Sequence, residues 1–550
     1  MMSGSPWAHS SANKSAWITL SVLSAALFCK NILYRHLTGM DALLSAGQLV
    51  AAYSSVMAVC LLFAMLAWIP RRWPAITLCI LTDLWFIAGI WYYKANMLWI
   101  NWQAISTLSE LKGFAASISS YLTWEQLLLP LTTIAVIIVL FLILSLRTSL
   151  RACLSIVSMA FFLCVCAMIG RYVAPLDEET KQRSFHAEEN HFIATHSSLM
   201  QIGKIAYDAV KEGLFHWTST QPLTPREQEI LSVIYHEPAE AAIPQGHLVY
   251  ILVESWETWG LQAVDAHGQA VCPYLSAYIQ THPVLFVPGI RTQQKYGRSG
   301  DGQLITQTGL LPISTGVACR QFGHNTYPNL AHFYTDGIVF NPYRIPVWNQ
   351  TTVTSSYGFQ HLSKPRQLHN ENDSVILQRT RDYLAQSQSP TAALVLTIDT
   401  HTPFRTHLDS IDLPDSLSMI EQNYLRSLRY TDRQIGRFLE WADTAATMQQ
   451  ATIVITADHN HFPVEHGHGL CPLIIASPAI THSVTVPKAL QMDIFPTTLH
   501  AIGQSNYAWQ GFGIDLLSEN VDSLLAHRSI RPDEAYDLSD KLIQTNFFAQ

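Results

Sequence analysis

The groups in this chain that could do chemistry sit at the ends of apolar runs. His247-Leu-Val-Tyr-Ile-Leu-Val253 stops at Glu254 and Ser255, Thr391-Ala-Ala-Leu-Val-Leu-Thr-Ile398 stops at Asp399-Thr400-His401, and Ala451-Thr-Ile-Val-Ile-Thr456 leads to Asp458 and His459. A fourth run, Leu473-Ile-Ile475, leads to Ser477 and Pro478. Ligands of open α/β sheets bind beyond the carboxyl ends of the strands. Glu254, His401, Asp458 and His459 can therefore converge although they are far apart in sequence. Two carboxylates with an imidazole form a hard donor set for one divalent cation, Mn or Zn, with Mg a third candidate.

A nucleophile is expected on a loop at the same edge. Lys295-Tyr-Gly-Arg-Ser-Gly-Asp-Gly-Gln303 is a turn punctuated by glycines, whose lack of a Cβ permits close backbone approach. Ser299 is its only aliphatic hydroxyl. A helix starting there would aim backbone N–H groups at an anionic phosphoryl group, and a metal would activate the hydroxyl for attack.

These strands alternate with helical patterns from residue 247 onward, which predicts an α/β domain with a mostly parallel sheet over residues 246–550. The rest of the chain is different. Of its 550 residues 13% are charged, against roughly 25% in ordinary soluble proteins. Asp, Glu, Lys and Arg make up about 8% of the first 175 positions and about 16% of the remainder. The first part carries net charge +6 and the remainder −14, which argues against nucleic acid as a partner of the soluble part. Only Cys272, Cys319 and Cys471 lie beyond residue 175, so no disulfide framework is expected there.

Five apolar stretches, near residues 16–34, 48–69, 75–93, 126–146 and 152–172, have about the 20 residues needed to cross a bilayer. Residues 1–174 are thus expected to be a membrane α-helical domain of five spans, its first span an uncleaved anchor. Arg71 and Arg72, and again Arg147 and Arg151, mark cytoplasmic loops, which puts everything after residue 175 outside. Trp91 to Trp102 reads as an interfacial aromatic stretch. Asp83, inside the third span, marks either a lipid head-group path or a carboxyl that packs against neighbouring helices. Residues 175–245 read as a mostly helical tether, with Thr224 an N-cap before Pro225.

Taken together, these residues resemble the alkaline phosphatase and sulfatase superfamily, in particular its lipoteichoic acid synthase-like membrane branch. The resemblance covers nearly the whole chain and is carried by Val253-Glu254-Ser255, Arg298-Ser299-Gly300-Asp301, Thr400-His401-Thr402-Pro403-Phe404, Tyr424 through Tyr430-Thr431-Asp432, Ala457-Asp458-His459, Pro472 to Pro478 and Asp493 to Thr498, in that order. It implies an extracytoplasmic sulfatase-like domain on a bacterial cytoplasmic membrane anchor. It also implies a metal held by Glu254, Asp458 and His459, with the nucleophile Ser299 as fourth ligand where the family usually has Thr. His401 matches a histidine that faces the substrate phosphate, and Trp348-Asn349 resembles a glycerol-phosphate pocket. Gln350 and Asn341 stand where the synthases have Arg and His. His461, His466 and His468 could add a second metal or bind phosphate, with His466 and His468 the stronger candidates.

A C/S-x-P-x-R sequence, which sulfatases need to form their oxidised aldehyde, does not surround Ser299. The implied activity is transfer of a phospholipid head group, glycerol phosphate or similar, to an envelope glycan or lipid through a phospho-serine. Phosphoethanolamine transfer and a non-catalytic lipid or glycan sensor are the alternatives.

Overall fold

A computed structural model of the chain describes residues 6–64, 73–96, 99–102, 105, 123–142, 193–194, 196, 200–218, 222–237, 243–365, 370–402, 404, 407–461 and 469–549. The chain divides into two compact units, Met1–Lys211 and Glu212–Gln550.

The first unit is helical. Its apolar stretches form helices Pro6–Leu37, Ala46–Ala64, Trp73–Asn96 and Leu128–Leu142. Among the described residues one helix, Ala75–Lys94, is long and apolar enough to cross a membrane, and Ala46–Leu62 and Trp124–Ile138 are apolar but shorter. The stretch at 152–172 and the four loop arginines lie outside the described residues. Leu23, Leu27, Val56, Cys60, Cys79 and Val136 bring the helices together in one apolar cluster.

Asp83 has a partner that the apolar reading of the first stretch overlooked. Lys30 Nζ lies 2.6 Å from Asp83 Oδ1 and donates to Thr133 Oγ1 at 2.6 Å, while Thr133 donates to Asp83 Oδ2 at 2.5 Å. A buried cation and a hydroxyl meet the carboxylate, so it ties three helices together. The aromatic stretch after Trp91 is partly helical, because the third helix runs to Asn96, and Trp91 donates to Gln126 at 2.9 Å.

The second unit is built on one nine-stranded sheet. Its strands are β1 (Leu248–Val253), β2 (Val284–Arg291), β3 (Asp336–Phe340), β4 (His361–Ser363), β5 (Thr391–Leu396), β6 (Thr452–Ala457), β7 (Leu470–Ala476), β8 (Val484–Thr485) and β9 (Ala489–Leu490). The order is β4-β3-β5-β1-β6-β7-β2-β8, with β9 also on β2. β1, β5 and β6 are buried along their whole length, which is why they read as unbroken apolar runs. β1 lies parallel to both β5 and β6. β7 runs antiparallel to β6, so Ser477 falls at the opposite edge, where its hydroxyl donates to Ala501 O at 2.6 Å.

The expected cap at Thr224 forms a full capping box with Glu227 on helix Pro225–Ile234. That helix is part of the second unit rather than of a separate tether to residue 245: Ile230 and Ile234 join its core, and Lys541 pairs with Glu227 at 2.7 Å.

Candidate metal centre and nucleophile

Strand register assembles the centre. Val253 is paired with Ala457, so the next residues, Glu254 and Asp458, leave adjacent strands side by side. Adjacent strands are about 4.8 Å apart. Glu254, Asp458 and His459 are all buried, and one ligand atom from each lies within 4.8 Å of the others. His459 Nε2 is 3.4 Å from Glu254 Oε1 and 3.5 Å from Asp458 Oδ2. Ligands about 2.0–2.2 Å from one ion in tetrahedral arrangement are about 3.3–3.6 Å apart, so the spacing fits a single divalent cation.

The hydrogen bonds around the three donors hold them in ligand orientation. His459 Nδ1 is 2.9 Å from Asn460 O, which keeps the proton on Nδ1 and turns Nε2 to the carboxylates. The Ser255 hydroxyl donates to Glu254 Oε1 at 2.7 Å, and the Ser255 N–H to Asp458 Oδ1 at 2.9 Å. The His459 N–H also donates to Asp458 Oδ1, at 2.7 Å.

Electrostatics point the same way. Burial would lower His459, yet Asp458 and the hydrogen bond and charge of Glu254 outweigh it and pull the imidazole up to about 9. Burial, helped by the charge of Glu254, pushes Asp458 up to about 6. Burial would raise Glu254 too, but the His459 bond and charge hold it below the usual carboxylate range. The pocket demands a positive charge between its carboxylates, which a divalent ion meets better than a proton.

Ser299 opens helix Ser299–Thr308 and lines one pocket with Glu254 and Asp458. The loop before it is fastened by the buried Asp301 carboxylate, which accepts from Lys295 N at 2.8 Å and Gly297 N at 2.9 Å. Burial is the main reason that carboxylate is raised, to about 6. The glycines are required by contact. A Cβ on Gly302 would sit 2.3 Å from Asp458 O, and one on Gly300 2.9 Å from Cys319 Sγ. Gly302→Ala is therefore expected to cost about 1–3 kcal/mol of stability, because backbone cannot yield as a side chain can. A thermal melt unchanged by that substitution would contradict the close packing of helix on metal strand.

One expectation fails at this helix. The N–H groups of Gly300 and Asp301 are spent on Gly297 O, at 2.7 and 3.3 Å, and that of Gly302 on Arg298 O at 2.8 Å. They do not serve as the phosphoryl cradle. The positive charge at this place comes from Arg298, whose field reaches His459 and His461.

A pocket with about 350 Å³ of atom-free space joins Ser299, Glu254 and Asp458 to Asn341, Trp348 and Gln350. Tyr343, Gln303 and Thr397 complete its polar wall. Gln303, absent from the sequence reading, lies one helical turn after Ser299, a spacing that could have found it. Asn349 is not in this wall; its amide donates to Cys319 O at 2.9 Å. His401 Nδ1 is 2.7 Å from Thr402 O, and its charge reaches Glu254, but it does not line this pocket. His461 is buried against Phe404, with Thr402 Oγ1 3.2 Å from its ring nitrogens and its N–H on Glu257. His466 and His468 lie outside the described residues.

Backbone strain gathers here. Of the six described non-glycine residues with positive φ, five surround the site: Ser255, Arg298, Trp348, Asn349 and Phe404. Strained conformations persist where the surroundings over-determine them, typically at functional sites.

Comparison with known proteins adds the lineage. Residues 247–504 match the Sulfatase family. The chain is 22% identical over 370 residues to lipoteichoic acid synthase 1 of Bacillus subtilis, covering 59% of this chain and 57% of that protein. It is 21% identical over 324 residues to the lipoteichoic acid synthase of Staphylococcus saprophyticus, covering 52% and 50%. The chain thus spans little more than half the length of these relatives. Among solved structures, the integral membrane lipooligosaccharide phosphoethanolamine transferase A of Neisseria meningitidis shares the fold over 89% of this chain and 95% of that one, with TM-score 0.52 and 12% identity. Residues 247–504 thus match the Sulfatase family and follow an N-terminal helical region, and the chain is similar over about half its length to lipoteichoic acid synthases.

Proposed function

We propose that the protein transfers the head group of a membrane phospholipid to an envelope glycan or lipid acceptor, through a phosphoryl ester on Ser299. The observation that carries this reading is that the half-buried Ser299 shares one pocket with Glu254 and Asp458, two members of a three-donor cluster spaced for one ion. Glu254, Asp458 and His459 would hold Mn or Zn, with Mg a third candidate, and such an ion lowers the pKa of a hydroxyl and neutralises phosphoryl charge.

The chain's own residues then do the following. Ser299 gives up its hydroxyl proton to water and its Oγ attacks phosphorus, the P–O bond to diacylglycerol breaks, the departing oxygen takes a proton from water, and His401 faces the substrate phosphate. Arg298 offsets charge on the phosphoryl oxygens. The acceptor hydroxyl next attacks the phospho-serine and restores Ser299. The fold shared with an integral membrane transferase supports a multi-pass helical unit that keeps the domain beside its lipid, with 1–174 as the five-span part.

Release of diacylglycerol from a head-group-labelled phospholipid by the full-length protein with Mn tests the reading; no release with Mn, Zn or Mg refutes it. Reporter fusions after residue 72 are expected to behave as cytoplasmic and fusions after residue 180 as extracytoplasmic. The opposite pattern separates the site from an outer-leaflet donor and acceptor.

A further inference from the structure

The stretch Tyr424 to Asp432 carries a row of hydroxyls to which head-group transfer gives no task. Tyr424, Ser427 and Thr431 lie three and four residues apart on helix Met419–Thr444, so they share one face, and all three are fully buried. That face meets the turns beyond two strands. The Tyr424 hydroxyl donates to Ser255 O at 3.1 Å and accepts from Glu257 N at 2.9 Å. Ser427 donates to Asp399 O, and Thr431 to Asp373 Oδ2 at 2.7 Å.

The first of these contacts bears on the three-donor cluster. Ser255 has φ 51°, a left-handed backbone that a residue with a Cβ avoids. From that conformation its N–H reaches Asp458 Oδ1 and its hydroxyl reaches Glu254 Oε1, at 2.9 and 2.7 Å. One strained residue thus holds both carboxylates. Ser255 and Glu257 are 1% and 0% exposed, so the carbonyl of one and the N–H of the other need partners inside the protein. The phenol supplies one to each and closes the turn between them. Its ring is wedged against Trp259 and Phe404, with centroids 5.2 Å away in both pairs, and a Cβ on Gly260 would come 3.0 Å from it. The hydroxyl therefore stays at a fixed point and the turn is drawn to it. Phenylalanine in its place would keep the wedge but orphan both main-chain groups, and the turn would relax towards ordinary backbone.

We infer that Tyr424 is a positioning residue of the metal centre: its hydroxyl locks Ser255 in the left-handed turn from which that residue aims Glu254 and Asp458 at one ion. The inference rests on the reading of Glu254, Asp458 and His459 as a metal site and is independent of what is transferred. Tyr424 touches neither ion nor substrate, so its substitution acts on affinity for the ion.

Calorimetric titration of the metal-free full-length protein with Mn, and separately with Zn, tests it, beside a thermal melt of each variant. Tyr424→Phe is expected to bind Mn about tenfold more weakly, and to melt cooperatively because its ring packing is kept. Ser427→Ala removes an equally buried hydroxyl from the same face and should stay within about twofold of wild type. Combined with Ser255→Ala, Tyr424→Phe should lose far less than the product of the two single losses, since both release the same carboxylates. Unchanged affinity in Tyr424→Phe, an equal loss in Ser427→Ala, or a double variant at the full product overturns the inference. So does a Tyr424→Phe protein that no longer melts cooperatively, because the hydroxyl would then serve folding. A wild-type protein that binds neither Mn nor Zn removes the metal reading itself, and the inference with it.

Discussion

Ser299→Ala is expected to lose phospholipid cleavage by several orders of magnitude while the fold survives. The hydroxyl is half-buried, at the start of a helix whose other nine residues are buried, and its loss removes few packing atoms. What it removes is the atom that divides one difficult displacement into two. Ser299→Thr keeps the oxygen and should retain appreciable turnover, provided the added methyl group clears the pocket wall. Diacylglycerol release from vesicles, with a thermal melt beside it, checks both variants. Full activity in Ser299→Ala would leave attack to water and make the protein a phosphodiesterase.

The second large effect concerns the ion. Asp458→Asn and Glu254→Gln each remove one of two buried carboxylates and are expected to abolish stoichiometric binding of Mn or Zn, read by metal analysis of the purified protein. Ser255→Ala leaves all three donors but deletes the hydroxyl that holds Glu254 at 2.7 Å, and should weaken metal affinity by about tenfold or more. A proton and a metal compete for His459 Nε2. With that imidazole pulled up to about 9 by the two carboxylates, affinity should fall with decreasing pH below 9, by up to about tenfold per unit. Metal affinity independent of pH between 6 and 9 would show that His459 is no ligand.

How much of this was legible in the sequence follows from how local each cause is. β1, β5 and β6 are fully buried between layers, so their apolar runs were plain, and their parallel arrangement puts Glu254, Asp399 and Asp458 at one edge. The direction of β7 has no such local mark, and Ser477 accordingly lies at the other edge. The Gly-punctuated turn was readable because Gly300 and Gly302 are in close contact with Cys319 and Asp458. The use of its N–H groups was not, since they are spent on carbonyls three and four residues back. Asn349 sits beside Trp348 in the chain yet turns its amide to Cys319, because two consecutive left-handed residues reverse the backbone there. Gln303 was overlooked as an ordinary helix residue, and Lys30 was taken for part of an apolar stretch although it neutralises Asp83.

The central claim is a covalent bond between Ser299 and a phosphoryl group. Mass spectrometry of the full-length protein quenched during phospholipid turnover, in the absence of acceptor, is the direct measurement. The expected result is a peptide containing Ser299 heavier by the phosphoryl head group, absent from Ser299→Ala and discharged when acceptor is added. Turnover of phospholipid with no adduct on that peptide, in a quench fast enough to catch the first cycle, would contradict it.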